Sequence, residues 1–299
     1  MKSEFILTLL QLSGYGRVRT KTIIDNIPNK VETIQDLFEN IQGLKKQLPQ
    51  LKVPHYEDIE KANFQALKII EDSTNNNIQI TSYLDSNYSK NLLLTSDYPL
   101  IIYSKGNLEL LDSNPKVAVI GTRNPSDVGL KLGTRITEIL VEHNFIIVSG
   151  LALGCDTIAH KTCLDKKGRT IAVMAGGLND IYPKNNLQLS NEIIESNGLL
   201  ISEYPIGTNP RNNFFVERNR IQSGISNGVC VIETDITGGT IRTVEFAEKQ
   251  DRVIGCVNFN DSSLSSNYGR GNRTLIAEKR ALPLSNPEEV TRFIQSLIK

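Results

Sequence analysis

Val-Ala-Val-Ile-Gly-Thr-Arg, at residues 117–123, gives a clear indication of the fold class. Four apolar residues that lead into a glycine turn are typical of a parallel strand buried on both faces. Five similar apolar runs follow, at 145–148, 170–175, 199–202, 229–232 and 253–257, with amphipathic helical segments between them. Strands that alternate with helices predict an α/β fold with a Rossmann-like, mostly parallel sheet.

The first part of the chain has a different pattern. Residues 1–72 repeat apolar side chains at helical spacing, as at Phe5 and Leu9, which predicts a small all-helical domain. The polar stretch 71–77 is predicted to be a linker, so the Rossmann-like domain spans 73–299. The turn Gly14-Tyr15-Gly16 is compatible with a helix-hairpin-helix unit that approaches phosphate, with simple helix punctuation, or with a protein contact.

Small, glycine-rich and hydroxyl-bearing turns follow nearly every predicted strand. Parallel strands place these turns at one edge of the sheet, where open α/β folds bind their ligands. Such turns present backbone N–H groups and helix N-termini, which are suited to phosphate. Examples are 121–126, 149–154, 175–178, 202–205 and 237–240.

Basic side chains lie in or beside the same turns. The run 211–220, Arg-Asn-Asn-Phe-Phe-Val-Glu-Arg-Asn-Arg, mixes cations with aromatic rings and amides. Cations beside rings that stack bases suit single-stranded nucleic acid. The alternative is a solvated helix start with two phenylalanines in the core, and the run by itself favours that alternative.

Composition and missing motifs exclude several classes of protein. The 299 residues carry 33 Lys+Arg and 33 Asp+Glu, so a nucleic-acid surface has to be local. No apolar run approaches the roughly 18 residues of a membrane span, and the N-terminus lacks a strongly basic region and a cleavage site. We therefore expect a cytoplasmic protein with no membrane partner.

Cofactor and metal chemistry have little support in the sequence. The four cysteines form no C-x-x-C pair and the three histidines are scattered, which predicts packed thiols and no metal site. The sequence has no Walker motif, which disfavours an ATPase of that class. The strand that ends at Ile120 is not followed by G-x-G-x-x-G, which disfavours a dinucleotide dehydrogenase. We expect no cofactor.

Taken together and in order, the motifs resemble the DNA-processing protein A family (DprA, also called Smf). The resemblance rests on 117–123, on Ser-Gly-Leu-Ala-Leu-Gly-Cys-Asp at 149–156, on Ser-Glu-Tyr-Pro at 202–205 and on Arg-Asn-Arg at 218–220. It implies a protein without catalytic chemistry that binds and protects single-stranded DNA. It also implies a homodimer that helps to load the RecA recombinase during DNA uptake and recombination.

The resemblance also assigns roles to residues. Arg123 and Lys184 should contact phosphate, and Arg218 and Arg220 belong to the Arg-Asn-Arg element. The turn at 238–240 stands where the family has a phosphate-cradling Ser-Gly-Ser. The candidate DNA-binding residues are Arg123, Ser149, Gly150, Lys184, Asn186, Arg211, Arg218, Asn219, Arg220, Gly239 and Thr240.

The sequence departs from the family pattern in places. Val216 replaces a usual proline, Arg242 replaces an apolar residue, and the winged-helix tail of longer members has no counterpart up to residue 299. Apolar runs near 256–259 and 275–284 are candidates for the dimer surface. Asp156 and His160, one helical turn apart, are expected to be a buried hydrogen-bonded pair that fixes a loop rather than a catalytic dyad.

Two other functions stay open. Related Rossmann-like phosphoribohydrolases carry Pro-Gly-Gly-x-Gly-Thr-x-x-Glu, whereas the corresponding turn at 237–243 lacks the acidic residue at that spacing, with Glu245 nearby. A nucleotide-binding sensor of a defence system on the same fold is the second alternative. Nucleotide release tests the first, and comparing single-stranded DNA with mononucleotide binding tests the second.

Overall fold

The first of two compact units, Met1–Tyr88 with Pro99–Tyr103, is mainly helical in the computed structural model, which describes residues 2–113, 115–259 and 269–298. Its elements are α1 (Ser3–Gln11), α2 (Arg17–Asn26), α3 (Ile34–Leu44), α4 (Tyr56–Asn75) and β1 (Gln79–Ser82). Phe5, Leu9 and Ile41 are buried, because apolar residues at helical spacing share one face of each helix. Asn63 of α4 donates to Thr8 Oγ1 of α1 at 3.1 Å, so these two helices share a buried polar contact.

The predicted linker at 71–77 is wrong for most of its length. Helix α4 continues to Asn75, and Asn77, with a φ of 55°, follows its end. The polar residues that predicted a linker belong to the last helical turn, where most side chains face water. The first unit reaches Tyr88 and contains a strand, so it extends past the predicted boundary at residue 72.

The second unit, Ser89–Tyr98 with Ser104–Lys299, alternates strands and helices. Strand β2 (Ile101–Gly106) begins in the first unit and ends in the second. The other elements are α5 (Lys90–Leu93), β3 (Lys116–Ile120), α6 (Asp127–Glu142), β4 (Ile146–Ser149), α7 (Cys155–Asp165), β5 (Thr170–Met174), α8 (Leu187–Glu195), β6 (Leu199–Ser202), α9 (Asn212–Ile225), β7 (Gly228–Val231), α10 (Gly239–Lys249), β8 (Val253–Val257), α11 (Arg270–Ala277), β9 (Leu282–Leu284) and α12 (Pro287–Leu297).

Seven strands of the second unit pair in the order β6-β5-β4-β3-β7-β8-β9, and every pair is parallel. Ala118 of β3 lies between Val148 of β4 and Val229 of β7. The chain runs outward from β3 to β6 and then returns to place β7 on the other side of β3. The strand order therefore reverses between β3 and β7, and the predicted Rossmann-like α/β fold is confirmed.

Helices cover this sheet and close its core. The central cluster joins strand residues such as Val119 and Ile147 to Leu140 of α6 and Phe293 of α12. The runs at 256–259 and 275–284 were predicted as a dimer surface, and this interpretation is wrong for most of their apolar side chains. The chain's own core buries Cys256, Val257, Phe259, Leu275 and Leu284, because α11 and α12 pack against β8 and β9.

Candidate nucleic-acid interface

A cleft of about 460 Å³ opens at the carboxyl ends of β3 and β7, where the strand order reverses. Open α/β sheets bind ligands at such a point, because loops from two directions diverge there. The lining combines the loop 121–123, the loop 234–240 apart from Ile236, and one face of α9, together with Ala152 and Asp156 beyond the end of β4. Five predicted site residues meet here: Arg123, Arg218, Asn219, Gly239 and Thr240.

Helix α10 begins at this cleft. Its N-cap is Gly238, whose φ of 123° lies in the region that favours glycine. A glycine N-cap has no side chain to accept hydrogen bonds from the amides of the first turn. These amides and the helix dipole together favour a bound anion beside Gly239 and Thr240.

Arg218 forms part of the cleft wall and is only 5% exposed. Its Nη1 donates to the carbonyl of Gly150 at 2.6 Å and to that of Val173 at 2.5 Å. The guanidinium therefore links the loop after β4 to the end of β5. Burial lowers the pKa of Arg218 to about 10, and the positive charge of Arg123 acts in the same direction.

Asp156 compensates the buried charge of Arg218. One of its carboxylate oxygens, Oδ2, accepts the backbone N–H of Gly150 at 3.1 Å and of Ala152 at 3.2 Å. Burial raises the pKa of Asp156, whereas the Arg218 guanidinium and these amides lower it. The predicted hydrogen bond between Asp156 and His160 is wrong, since the His160 ring bonds instead to Thr170 Oγ1 at 2.7 Å through Nδ1.

Arg123 is the exposed cation of the cleft. Its guanidinium lies over the ring of Phe215, 5.5 Å from the centroid. Within the described part of the chain it forms no ion pair, in contrast to Arg220 or Lys184. The positive charges of Arg123 and Arg218 repel each other. An anion bound between them would offset this repulsion and stabilise both charged side chains.

Two aromatic pairs stand at the start of α9. Tyr182 packs against Phe215 with ring centroids 5.7 Å apart and planes tilted by 55°. Tyr204 stacks on Phe214 at 4.0 Å and 23°, and Arg211 lies over the same Phe214 ring at 5.6 Å. The side chain of Arg211 is exposed beside the second pair. Phe215 of the first pair lines the cleft.

The remaining predicted residues lie outside the cleft lining. Ser149 is buried, and its hydroxyl donates to the carbonyl of Val119 at 2.7 Å. Asn186 is buried too, and its Nδ2 donates to the carbonyl of Leu151 at 2.9 Å. Gly150 leaves room for Arg218, because an added Cβ would lie 1.9 Å from Nη1. These three residues build the loops around the site.

Two predicted cations have acidic partners. Lys184 is exposed and pairs with Asp180. Arg220 is 5% exposed and forms ion pairs with Glu203, with Nη2 and Oε2 2.5 Å apart, and with Asp97, with Nε and Oδ2 3.5 Å apart. Their contact with DNA stays a prediction.

Several polar residues of the lining are absent from the eleven candidate DNA-binding residues. Gln222 lies one turn beyond Arg218 on α9, so the helical period supplied a signal for it. Thr237 precedes the glycines of α10, whereas Asp235 had no motif to single it out. Asp235 pairs with Arg270 at 3.1 Å, and its bond from the Ile236 amide lowers its pKa.

The acidic residue near the predicted phosphoribohydrolase turn has a basic partner. Glu245, which stood near the predicted phosphoribohydrolase turn, pairs with Arg242 at 2.9 Å. Across residues 2–113, 115–259 and 269–298, no group of three or more His, Cys, Asp or Glu side chains is placed to hold a metal ion. No helix in those ranges is long and apolar enough to cross a membrane.

Sequence comparison matches most of this chain to one family. The sequence model for DNA recombination-mediator protein A matches residues 79–295. The DNA processing protein DprA of Bacillus subtilis is 37% identical over 182 residues, which are 61% of this chain and 60% of that protein. Overall, the chain spans about half to three-fifths of the length of the curated relatives that it matches first.

Two solved structures are similar as well. The structure of DNA processing protein A from Streptococcus pneumoniae superposes with a TM-score of 0.71 at 29% identity, over 91% of this chain and 96% of that one. The protein of the same name from Helicobacter pylori gives 0.64 at 29% identity, over 74% and 96%. The work on the Helicobacter pylori protein concerns the mode in which that protein binds single-stranded DNA.

Proposed function

The chain belongs to the DNA recombination-mediator protein A family, and we propose that it binds single-stranded DNA in the cleft at the carboxyl ends of β3 and β7. The observation that carries the proposal is the convergence of three positive groups on this cleft. They are the exposed Arg123, the buried Arg218 and the N-terminus of α10. A phosphate group is the anion of nucleic acid that such an arrangement fits.

The shape of the cleft favours a single strand over a duplex. Arg218 lies in the wall and is 5% exposed, so a phosphate has to enter the cleft to approach it. A flexible single strand is able to bend a phosphate inward, whereas a duplex is stiff over many base pairs. The lining of the cleft supplies two cationic side chains, Arg123 and Arg218, rather than a row of cations that a duplex backbone could follow.

The proposal extends to the role of the bound strand. The family is described as a recombination mediator, and we infer that this chain protects single-stranded DNA and helps to load RecA on it. The resemblance also suggests a homodimer, a protein without catalysis and a cytoplasmic location. RecA-dependent ATP hydrolysis on DNA coated with single-strand-binding protein tests the loading, and light scattering at tens of micromolar tests the dimer.

The DNA-binding experiment measures the affinity for a labelled oligo-dT and for a duplex of equal length by fluorescence anisotropy. We expect tighter binding of the single strand. The logarithm of its association constant should fall by about 0.7 per phosphate contact for each tenfold rise in salt concentration. Arg123→Ala should cost about 1.5–3 kcal/mol, the range for a charged hydrogen bond, and remove about one contact from the salt slope. Lys184→Ala tests the position that the resemblance assigns, and we expect a similar loss of one contact.

A matched control changes the net charge by the same amount outside the cleft. Arg273 of α11 is exposed and does not line the cleft, so Arg273→Ala should leave the affinity and the slope unchanged. Equal affinity for duplex and single strand would contradict the proposal. An Arg123→Ala protein with a lower melting temperature and an unchanged slope would mean that Arg123 only braces its loop. Tighter binding of a nucleoside monophosphate than of oligo-dT, or release of a base from it, would favour the sensor or the enzyme.

A further inference from the structure

We propose that the exposed ring of Tyr182 is a stacking site for one unpaired base of the bound strand. The ring of Phe215 contacts both Tyr182 and Arg123, the cation that the proposed function assigns to phosphate. This inference rests on the proposed function, and it adds a group that contacts the base to the groups that contact the phosphate.

Phe215 is the common support of the two groups. The Arg123 guanidinium lies 5.5 Å from the centroid of the Phe215 ring, and the Tyr182 ring lies 5.7 Å from the same centroid. Phe215 itself is partly buried and lines the cleft. A single side chain on α9 thus fixes the cation at the cleft and the neighbouring ring together.

Tyr182 has the surface that a base requires. It is 49% exposed, and its ring packs on Phe215 at a tilt of 55° rather than stacking face to face. It follows β5 in a loop at the same carboxyl edge of the sheet as Arg123. Every base has a π face, so stacking on an aromatic side chain accepts any base sequence.

The other aromatic pair is less suited to DNA. Tyr204 and Phe214 already stack on each other at 4.0 Å, which covers one face of each ring. The Tyr204 hydroxyl donates to Glu217 Oε2 at 2.5 Å, and burial together with this carboxylate raises the pKa of Tyr204. The Glu217 carboxylate at the edge of this pair opposes the positive charge of Arg211 over the Phe214 ring, so Phe214 provides a matched aromatic control for the Tyr182 site.

The experiment compares oligo-dT with an abasic oligomer that has the same number of phosphates. We expect the wild-type protein to bind oligo-dT about 5- to 150-fold more tightly, which is the range for one stacked base. Tyr182→Leu should remove most of this difference by weakening oligo-dT alone. The control Phe214→Leu should keep the difference.

A second variant reports on the contact directly. The chain contains no tryptophan, so Tyr182→Trp introduces a single indole while keeping an aromatic ring. We expect this variant to bind oligo-dT as wild type does, with fluorescence that is quenched by oligo-dT and not by the abasic oligomer. Circular dichroism and the melting temperature confirm that each variant is folded.

The outcomes separate this inference from the proposed function. Equal wild-type affinity for the two oligomers, or an equal loss for both in Tyr182→Leu, would refute base stacking at Tyr182 while DNA binding stands. Loss of the difference in Phe214→Leu with its retention in Tyr182→Leu would place the base on the other pair. Failure of the wild-type protein to bind either oligomer would overturn the proposed function and this inference with it.

Discussion

Replacing Gly150 by alanine tests whether Arg218 is the internal brace of the cleft. The added Cβ would lie 1.9 Å from Nη1 of Arg218, whereas ordinary contact begins at 3.4 Å, so the guanidinium has to withdraw by about 1.5 Å. Withdrawal breaks the hydrogen bonds from Nη1 to the carbonyls of Gly150 and Val173. The backbone of Gly150 is outside the left-handed region, so alanine adds no backbone strain of its own.

The expected loss follows from these contacts. Each hydrogen bond of a charged donor contributes about 1.5–3 kcal/mol. Alanine restores about 0.4–1 kcal/mol by lowering the entropy of the unfolded chain. For the two hydrogen bonds together, the net loss should therefore be about 2–5.5 kcal/mol, against a typical total stability of about 5–15 kcal/mol. The affinity for single-stranded DNA should fall as well, because the displaced guanidinium leaves the position in the cleft wall from which it faces a bound phosphate.

Urea unfolding followed by circular dichroism measures the free energy, and anisotropy measures DNA binding. Gly239→Ala is the matched control, since nothing lies within 4 Å of its added Cβ, and its stability should change by less than about 1 kcal/mol. In an Arg218→Leu background, Gly150→Ala should cost much less than in the wild-type chain, because no guanidinium remains to be displaced. A loss below about 0.5 kcal/mol in the wild-type chain with unchanged DNA binding would refute the brace.

Three further predictions concern stability and reactivity. Burial lowers the pKa of Lys116 to about 8, so between that value and the ordinary 10.5 the unfolded chain holds more protons than the folded one. The unfolding free energy of wild type minus that of Lys116→Met should therefore rise with pH across this window in urea titrations, and a constant difference would contradict the shift. Burial raises the pKa of the thiols of Cys155, Cys163, Cys230 and Cys256, so Ellman's reagent at pH 8 should label none of them in the native protein and all four in urea. Fast native labelling would contradict their burial. Gly43→Ala should stabilise the chain by about 0.5–1 kcal/mol, because Gly43 lies in α3 with nothing within 4 Å of an added Cβ, and lower stability in urea would contradict this.

The alternation of strands and helices was predictable from the sequence alone. Buried parallel strands need nearly continuous apolar runs, and these runs mark β3 to β8 within about one residue at each end. The strands β1, β2 and β9 were not predicted. Leu282 at the start of β9 is exposed, so a three-residue strand at that position has little apolar pattern to reveal it.

The end of the first helical region was harder to predict. The polar residues around 71–77 have the composition of a linker, and helix α4 nevertheless continues through most of them. An exposed helical turn and a loop have similar composition, because both face water. Packing against the rest of the unit extends the helix, and local composition does not record that packing.

An α/β body with phosphate-suited turns at the ends of its strands was predictable from the residues, because apolar runs and turn chemistry are local properties. That β3 and β7 are neighbours, which places the turns at 121–123 and 237–240 around one cleft, depends on how distant parts of the chain pack together. Packing also sets the different exposures and partners of three arginines. Arg123 is exposed at the cleft, Arg218 is buried against Asp156, and Arg220 pairs with Glu203. Residues of one type diverge in this way because the charge and burial around each are set by groups distant in the chain.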